Sequence, residues 1–406
     1  MDKEERTLFK GKPILWLFVG LLCLVSVIEV FSATSRMTFG GDQNYLMPVL
    51  KHVVHLVLGF VVLFLVHRIP YRFFKAIPYI LLPVTAAALV CLMVKSAVTG
   101  VTDRWIQLPG FSIQPSELAK MGVIVAVAAL LAKLDEEDEL SQVRIFWRIL
   151  LLSGSFILMI MPENLSTAVL LAIVVFLMMI VGGIRPRYLL YLTGTCVALG
   201  GAMLAVMLYV SPQKIEKSPL PSRFLTWQAR VLDFVDGSDK NLTPQDYVRT
   251  IARDKPQETH ANIAIASSHI LGRGPGNSVE RDFVQEASCD FIYAIIIEEL
   301  GLLGALVVLF IYLWILLKSG GVAARCGSRK FPRYLAMGIA FLITLQAFVN
   351  MSVAVGLIPV TGQPLPLIST GGTSILITFF YFGMLISISW SGEEEHEETV
   401  ETAEEN

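Results

Sequence analysis

The sequence has little charge and little cysteine, and each shortage excludes a class of protein. Charged residues make up only 16% of the 406 positions, against 54% that are hydrophobic, and the mean hydropathy is +0.65. Soluble domains typically carry about 25% charged residues, so a soluble fold is excluded. The five cysteines show neither CxxC nor metal-ligand spacing, so no disulfide framework or zinc site is predicted. Walker and dinucleotide glycine motifs are also missing, so we expect no bound nucleotide and no nucleic-acid partner.

Apolar runs of about twenty residues recur along the chain, and this length crosses a ~30 Å hydrocarbon core. Segments of alternating hydrophobicity, typical of a membrane β-barrel, are missing. The predicted fold class is therefore an all-α polytopic integral membrane protein with ten transmembrane helices. The predicted spans are 13–33, 46–66, 77–98, 115–133, 145–162, 165–183, 188–210, 290–317, 334–358 and 366–390. The first run is too long for a signal-peptide core and lacks a following cleavage site, so we expect it to be retained.

Lysine and arginine counts orient these spans, because the cytoplasmic connections of membrane proteins are enriched in both residues. With the N-terminus inside, the inner connections carry seventeen Lys and Arg, whereas the short outer loops carry only Arg36, Lys95 and Arg104. Both termini are therefore predicted to be cytoplasmic. The organisation that follows is a cytoplasmic N-terminus at 1–12, a membrane domain over 13–390 and an acidic cytoplasmic tail at 391–406. The connection at 211–287, between the seventh and eighth helices, is predicted to be a large extracytoplasmic loop.

Two shorter segments carry their own predictions. The tail "SGEEEHEETVETAEEN" is predicted to be disordered, with a docking peptide for cytoplasmic partners as the alternative. The segment "MPENLST" between the fifth and sixth spans is predicted to be a tight turn that leaves Glu163 and Asn164 at a surface.

A first polar cluster lies in "DRWIQLPGFSIQPSELAK", an outer loop that continues into the fourth span. Pro115 suits the first turn of a helix, where a missing N–H does no harm. Glu117 and Lys120 are three residues apart and therefore share a face of that helix. They are interpreted either as part of a functional site or as a buried ion pair that fastens helices. Arg104, beside Trp105, is either a site residue or an anchor at the membrane interface.

A second cluster follows the glycine-rich "LGRGPGNS", which contains Asn277, and runs through "SCDFIYAIIIEELG". Carboxylates are costly inside hydrocarbon, about 2.5–3.5 kcal/mol each on insertion scales, so Asp290, Glu298 and Glu299 need a reason to be there. Asp290 lies at the mouth of the predicted helix, at the same shallow depth as Lys120. On a straight helix Glu298 and Glu299 lie about 12 to 14 Å deeper. We therefore predict that Asp290 belongs to surface chemistry, whereas Glu298 and Glu299 bind buried polar partners and hold the bundle together.

A third cluster, "NMSVAVGLIPVTGQPLPLISTGGTS", interrupts the apolar sequence between the last two spans with prolines and glycines. Irregular backbone at membrane depth persists only where it is packed in protein or lines a wet cavity. It is interpreted as a re-entrant turn or as part of a site.

Together, "RWI" with "GFSIQPSELAK", "GNS" with "EASCDFIYAIIIEELG", and "PVTGQPLPLISTGGTS" closely resemble the signature segments of the SEDS family, which includes FtsW and RodA. The resemblance covers almost the whole chain, and "EVFSATS" after the first span leans towards the cell-division branch, FtsW. Family members commonly have proline, histidine and threonine where this chain has Gln285, Ser288 and Cys289. The aspartate is retained as Asp290.

The resemblance implies a peptidoglycan glycosyltransferase of the bacterial inner membrane that polymerises lipid II during division. It implies a class B penicillin-binding protein and other divisome proteins as partners, contact with membrane lipid, and a divalent cation, Mg2+ or Mn2+, whose ligands stay unknown. The alternatives are a lipid II flippase or other transporter, a RodA-like elongation polymerase, and a scaffold for partner proteins.

By the same resemblance, Asp290 is the catalytic base candidate. Such a reaction needs a carboxylate to take the proton of the attacking hydroxyl, and cations to stabilise the diphosphate leaving group. The substrate-binding candidates are Arg104, Lys120, Glu117, Glu286, Asn277, Ser369, Gly371 and Gly372.

Overall fold

In a computed structural model of the protein, the described residues are mostly helical. The structure describes residues 11–34, 46–99, 104–108, 111–209, 224, 227–228, 231–232, 256–280 and 290–404. Its helices are α1 Pro13–Thr34, α2 Leu46–Val66, α3 Ile77–Thr99, α4 Pro115–Leu131, α5 Glu139–Ile160, α6 Leu165–Val181, α7 Pro186–Tyr209, α8 Pro256–Ser267, α9 Ile292–Arg325, α10 Lys330–Ala354 and α11 Gly372–Glu404. A 3-10 helix, Tyr71–Ala76, precedes α3.

Within the described residues, ten of these helices overlap the ten predicted spans, and eight candidate spans are long and apolar enough to cross a membrane. The other two, α4 and α6, have 17 residues each, or roughly 26 Å of helix. Helix α4 also carries Glu117 and Lys120, which reduce its hydropathy. The structure therefore confirms a helical membrane fold and gives eight candidate spans.

Helix α4 lies at the centre of the bundle, because it packs against α3, α5 and α10 and nearly all of its residues are buried. Helices α10 and α11 are also largely buried, whereas only 6% of the α7 span is buried inside the protein. The polar residues of α4 thus lie in the interior of the protein and do not face lipid.

A short antiparallel hairpin that the sequence did not predict precedes α4. Strands β1 (Ile106–Leu108) and β2 (Phe111–Ile113) pair in the register Ile106 with Ile113 and Leu108 with Phe111. Strands of three residues are too short to show an alternating pattern. The hairpin connects Arg104 to the start of α4.

Helix α9 overlaps the span predicted over 290–317, but it is broken at Gly301 and is not one continuous helix. Gly301 has φ 72° and ψ −174°. The hydroxyl of Tyr293 donates a hydrogen bond to the carbonyl of Ala305 at 3.1 Å, although twelve residues of straight helix measure about 18 Å. The chain therefore turns sharply at Gly301, and the first half (Ile292–Leu300) packs against the side of the second (Leu302–Arg325).

The second half of α9 alone contains about 24 residues, or roughly 36 Å, which is enough to cross the membrane. The first half is buried in protein from Ile292 to Glu299. The break lies beyond Glu298 and Glu299, so both stay about 12 to 14 Å from Asp290 along the first half of the helix; their depth in the membrane stays a prediction.

Residues 269–280, here called the glycine loop, fill the break in α9. Backbone N–H groups of Arg273 and Gly274 donate to the carbonyls of Glu298 and Glu299, at 3.0 and 2.8 Å. In return, Leu302 and Leu303 donate to the carbonyls of His269 and Ile270. The backbone groups left without helical partners by the break are satisfied in this way.

Residues 355–371, between α10 and α11, are irregular; Val355 to Leu357 are exposed, whereas Leu365 to Ser369 are buried, as expected for the re-entrant interpretation. Side chains from three helices bind the carbonyls of this segment. Gln346 and Asn350 of α10 donate to Pro364 and Gln363, Tyr312 of α9 to Pro366, and Ser26 of α1 to Ile368. Protein donors thus replace the water that these carbonyls would otherwise need.

Two further predictions are corrected. Glu163 and Asn164 are buried, with 6% and 3% exposure, because Asn164 caps α6 by accepting from the Thr167 N–H. The tail predicted to be disordered continues α11 as helix to Glu404. Its glutamates are good helix formers, and neither glycine nor proline follows Gly392.

Candidate functional site

The Arg104 and Asp290 side chains converge at Gly362. A Cβ placed on Gly362 would lie 3.4 Å from Nη1 of Arg104 and 3.7 Å from Oδ2 of Asp290. Both side chains are partly exposed. A carboxylate and a guanidinium therefore meet on the re-entrant segment, at a point that molecules outside the protein can reach.

Each of the two groups is held by a neighbouring element. Arg104 donates from Nε to the carbonyl of Glu163 at 3.1 Å, in the turn between α5 and α6. Asp290 precedes α9, and its own carbonyl accepts from Nδ2 of Asn350 at 3.0 Å. Gly362 has φ 69°, a left-handed conformation that favours glycine. The convergence thus depends on α6, α9, α10 and the re-entrant segment together.

The side chain of Lys120, on α4, is fully buried. Its Nζ lies 2.7 Å from Oε1 of Glu117 and donates to Oε1 of Gln346 at 3.2 Å. The amide of Gln346 also binds the carbonyl of Pro364. Glu117 and Lys120 therefore form the buried ion pair that their spacing predicted, and the bond from Lys120 to Gln346 joins α4 to α10. A direct contact of Lys120 or Glu117 with substrate stays a prediction.

A cavity of about 260 Å³ opens beside Arg104. It is lined by the start of α6 (Asn164 to Ser166), the second half of α7 (Gly200 to Met207), the segment Pro359 to Thr361, Trp227 and Val231. Phe224, Trp227 and Val231 pack with Met203 and Met207 of α7. The mixed lining suits an amphipathic ligand with a polar group near Arg104 and an apolar part along α7.

Glu298 and Glu299 bind the glycine loop and are fully buried. Glu298 accepts from Nη1 of Arg273 at 3.0 Å, from the Val279 N–H at 3.0 Å, and from the Ser278 hydroxyl. Glu299 accepts from the Gly276 and Ser278 N–H groups at 2.8 and 3.2 Å and from the Ser32 hydroxyl of α1. These contacts join α1, α9 and the glycine loop.

The other predicted site residues lie in two places. Asn277 is in the glycine loop, where Nδ2 donates to the carbonyl of Arg273 at 3.0 Å. Ser369 accepts from the Leu365 N–H at 2.8 Å, and Gly371 and Gly372 form the start of α11 beside Ser374 and His55. Substrate binding by these four residues stays a prediction. Glu286 lies outside the described residues.

Sequence reasoning missed Gln346 and Asn350 as organisers of the site. Their spacing could have indicated this role, because two amides four residues apart lie on one face of a largely apolar stretch of helix. Buried polar groups in a membrane span usually have partners. Here the partners are the re-entrant segment and Asp290.

The expected divalent cation would need side chains that can act as its ligands. Within the described part of the chain, no three His, Cys, Asp or Glu residues come close enough to form a metal site. Mg2+ is commonly bound through one or two carboxylates together with substrate phosphates. Among the described residues, the donor set, with Asp290 as the carboxylate at Gly362, therefore fits a cation carried mainly by a phosphate-bearing ligand.

The fold and this site define a class: a multi-pass helical membrane protein with a carboxylate–guanidinium pair held by a re-entrant segment. A family model for FtsW, RodA and SpoVE, described as cell cycle protein, matches residues 12–394. The chain belongs to this FtsW/RodA/SpoVE family.

Two named relatives align with nearly the whole chain. A probable peptidoglycan glycosyltransferase FtsW of Geobacter sulfurreducens is 31% identical over 379 residues, which cover 93% of this chain and 94% of the relative. The corresponding Bacillus subtilis protein is 29% identical over 384 residues, 91% of this chain and 88% of the relative.

Solved structures share the fold. A chain of a peptidoglycan synthase complex that couples polymerisation and crosslinking aligns with a TM-score of 0.69 at 22% identity, covering 94% of this chain and 98% of its own. Thermus thermophilus RodA, a rod shape determining protein, aligns with a TM-score of 0.60 at 21% identity, covering 93% and 96%.

Proposed function

We propose that this protein is a peptidoglycan glycosyltransferase that polymerises lipid II in septal cell-wall synthesis. The observation that carries the proposal is the convergence of Asp290 and Arg104 at Gly362, beside a cavity with polar and apolar walls. The relatives named as probable peptidoglycan glycosyltransferases support the reaction, and their FtsW names support the division role over a RodA-like role in elongation.

The proposed topology has ten spans in the cytoplasmic membrane, cytoplasmic termini and an extracytoplasmic loop at 211–287. In that topology the α5–α6 turn, the start of α9 and the segment 355–371 all lie at the outer face. These three elements provide the carbonyl that holds Arg104, Asp290 itself and Gly362. The topology therefore puts the site where lipid II is exposed outside the cytoplasm.

In the proposed mechanism Asp290 acts as general base. The acceptor hydroxyl attacks the anomeric carbon of the donor sugar, and its proton passes to the Asp290 carboxylate. The bond between that carbon and the diphosphate breaks as the new glycosidic bond forms. The diphosphate leaves with its electron pair, and the guanidinium of Arg104 stabilises its charge.

Asp290 is the side chain that would hold a divalent cation brought in with the diphosphate-bearing substrate. When bound, the cation would neutralise further charge on the leaving group. No nucleotide is required, because the activated lipid carries the driving energy. The partners proposed are lipid II, a class B penicillin-binding protein and other divisome proteins.

The test is polymerisation of labelled lipid II by purified protein mixed with its penicillin-binding partner, followed on a gel. Asp290→Asn keeps the shape of the side chain and removes the base, so we expect the rate to fall by about 10²-fold or more. The control is Glu139→Gln, at an exposed carboxylate near the start of α5, which should polymerise normally.

Two results would overturn the proposal. One is normal polymerisation by Asp290→Asn. The other is transfer of lipid II across sealed vesicles by wild-type protein that forms no polymer, which would establish the flippase alternative.

A further inference from the structure

We propose that Asn350 is a positioning residue that fixes the Asp290 carboxylate relative to the re-entrant segment. Asn350 is almost fully buried on α10, at 1% exposure. The inference rests on the proposed function, because it assigns Asn350 a role in the reaction that Asp290 is proposed to perform.

One nitrogen of Asn350 bridges the two segments that meet at the site. Nδ2 donates to the carbonyl of Asp290 at 3.0 Å and to the carbonyl of Gln363 at 2.8 Å. Gln363 directly follows Gly362, and the Asp290 carboxylate lies next to Gly362. Asn350 therefore ties the backbone of the proposed base to the backbone it faces.

The amide is used for its donors alone. Among the described residues, Oδ1 of Asn350 has no hydrogen-bond partner, and a buried oxygen without a partner costs about 1–3 kcal/mol. A primary amide is the short neutral group that presents two N–H donors on one atom. The two hydrogen bonds from Nδ2 to the carbonyls of Asp290 and Gln363 offset the free energy lost at the unpaired oxygen.

The same network extends to Arg104. Nε2 of Gln363 donates to the Thr167 hydroxyl at 2.7 Å, and the Thr167 N–H donates to Asn164 at the start of α6. The preceding residue, Glu163, provides the carbonyl that holds Arg104. Asn350 is thus connected, through Gln363 and the start of α6, to the carbonyl that holds Arg104.

Removal of the two donors should reduce turnover and leave substrate affinity nearly intact. A displacement of about 1 Å at a reacting group can cost roughly 10²-fold in rate. For Asn350→Leu, which keeps the branched shape of the side chain and removes both donors, we therefore expect kcat to fall about 100-fold and KM for lipid II to change less than about threefold.

The deciding experiment is a double-mutant cycle with Asp290→Glu, whose longer side chain already displaces the carboxylate. If Asn350 acts through Asp290, Asn350→Leu should cost about 100-fold in the Asp290 background and less than about fivefold in the Glu background. A purely structural role would give the same fold-change in both. The control is Ser153→Ala, a buried α5 hydroxyl that binds the carbonyl of Ile149 on its own helix; its kcat should match wild type.

The possible failures are distinguishable. If Asp290→Glu and Asp290→Asn both polymerise at the wild-type rate, the proposed function fails. If those variants are slow but Asn350→Leu matches wild type or loses the same factor in both backgrounds, the role of Asn350 is overturned. If Asn350→Leu does not purify as a folded protein, Asn350→Ser, which keeps one donor, replaces it in the same cycle and is expected to lose about tenfold.

Discussion

The docking of the glycine loop into α9 can be tested by adding a single methyl group. A Cβ on Gly272 would lie 2.3 Å from the carbonyl oxygen of Glu299 and 2.3 Å from the nitrogen of Gly301. Both obstructing atoms belong to backbone, so neither can rotate away. In the variant Gly272→Ala the loop must move out of the break by close to 1 Å.

The expected cost of Gly272→Ala has two parts. The left-handed backbone, with φ +70°, costs an alanine about 1 kcal/mol. The displacement also breaks the bonds from Arg273 and Gly274 to the Glu298 and Glu299 carbonyls, and each buried carbonyl left unpaired costs about 1–3 kcal/mol. We expect a total destabilisation of about 4 kcal/mol.

Gly276→Ala is the matched control, because Gly276 also has a left-handed φ, +82°, but a Cβ there meets nothing within 4 Å. It should lose only the conformational part, about 1 kcal/mol. The measurement is unfolding of the purified protein by SDS in mixed micelles, read as the free energy of unfolding. Equal losses for the two variants would refute the docked arrangement.

Two further predictions concern buried acids. Glu298→Gln should destabilise the protein by about 3 kcal/mol, because it leaves Arg273 without its charged partner and its amide nitrogen must face either the Val279 N–H or the Glu280 N–H. Turnover per folded molecule should stay near wild type. Glu29→Met should stabilise it by about 1–3 kcal/mol, because neither carboxylate oxygen of Glu29 has a hydrogen-bond partner among the described residues.

The same SDS titration measures both variants, with lipid II polymerisation per folded molecule as a second readout. A well-folded but inactive Glu298→Gln protein would contradict its structural role. For Glu29, the control is Ser26→Ala on the same helix, where the hydroxyl binds the Ile368 carbonyl. That variant should lose stability, and a loss for Glu29→Met as well would show that the carboxyl has a partner in the membrane.

The positions of the helices could be predicted because the membrane fixes their length. An apolar run of about twenty residues has one stable form in hydrocarbon, so runs such as 46–66 and 77–98 gave helices within a residue or two of Leu46–Val66 and Ile77–Thr99. The break at Gly301 could not be predicted in this way. Apolar residues continue on both sides of it, and a distant loop, 269–280, stabilises the turn.

The site was only partly predictable for the same reason. Arg104 and Asp290 were selected individually as polar residues near the outer ends of spans. Their meeting at Gly362 depends on the path of the segment 355–371, which four side chains on three helices determine. These side chains come from distant parts of the chain, so the path of the segment cannot be deduced from its own sequence.

The turn at Gly301 also separates membrane insertion from folding. Leu302–Arg325 is long and apolar enough to enter the bilayer by itself, whereas Ile292–Leu300 carries Glu298 and Glu299 and gains its partners from the glycine loop. The shorter piece therefore depends on the glycine loop for the partners of its two carboxylates. Asp290 lies at the start of that piece, so the position of the proposed base depends, through Glu298 and Glu299, on the glycine loop.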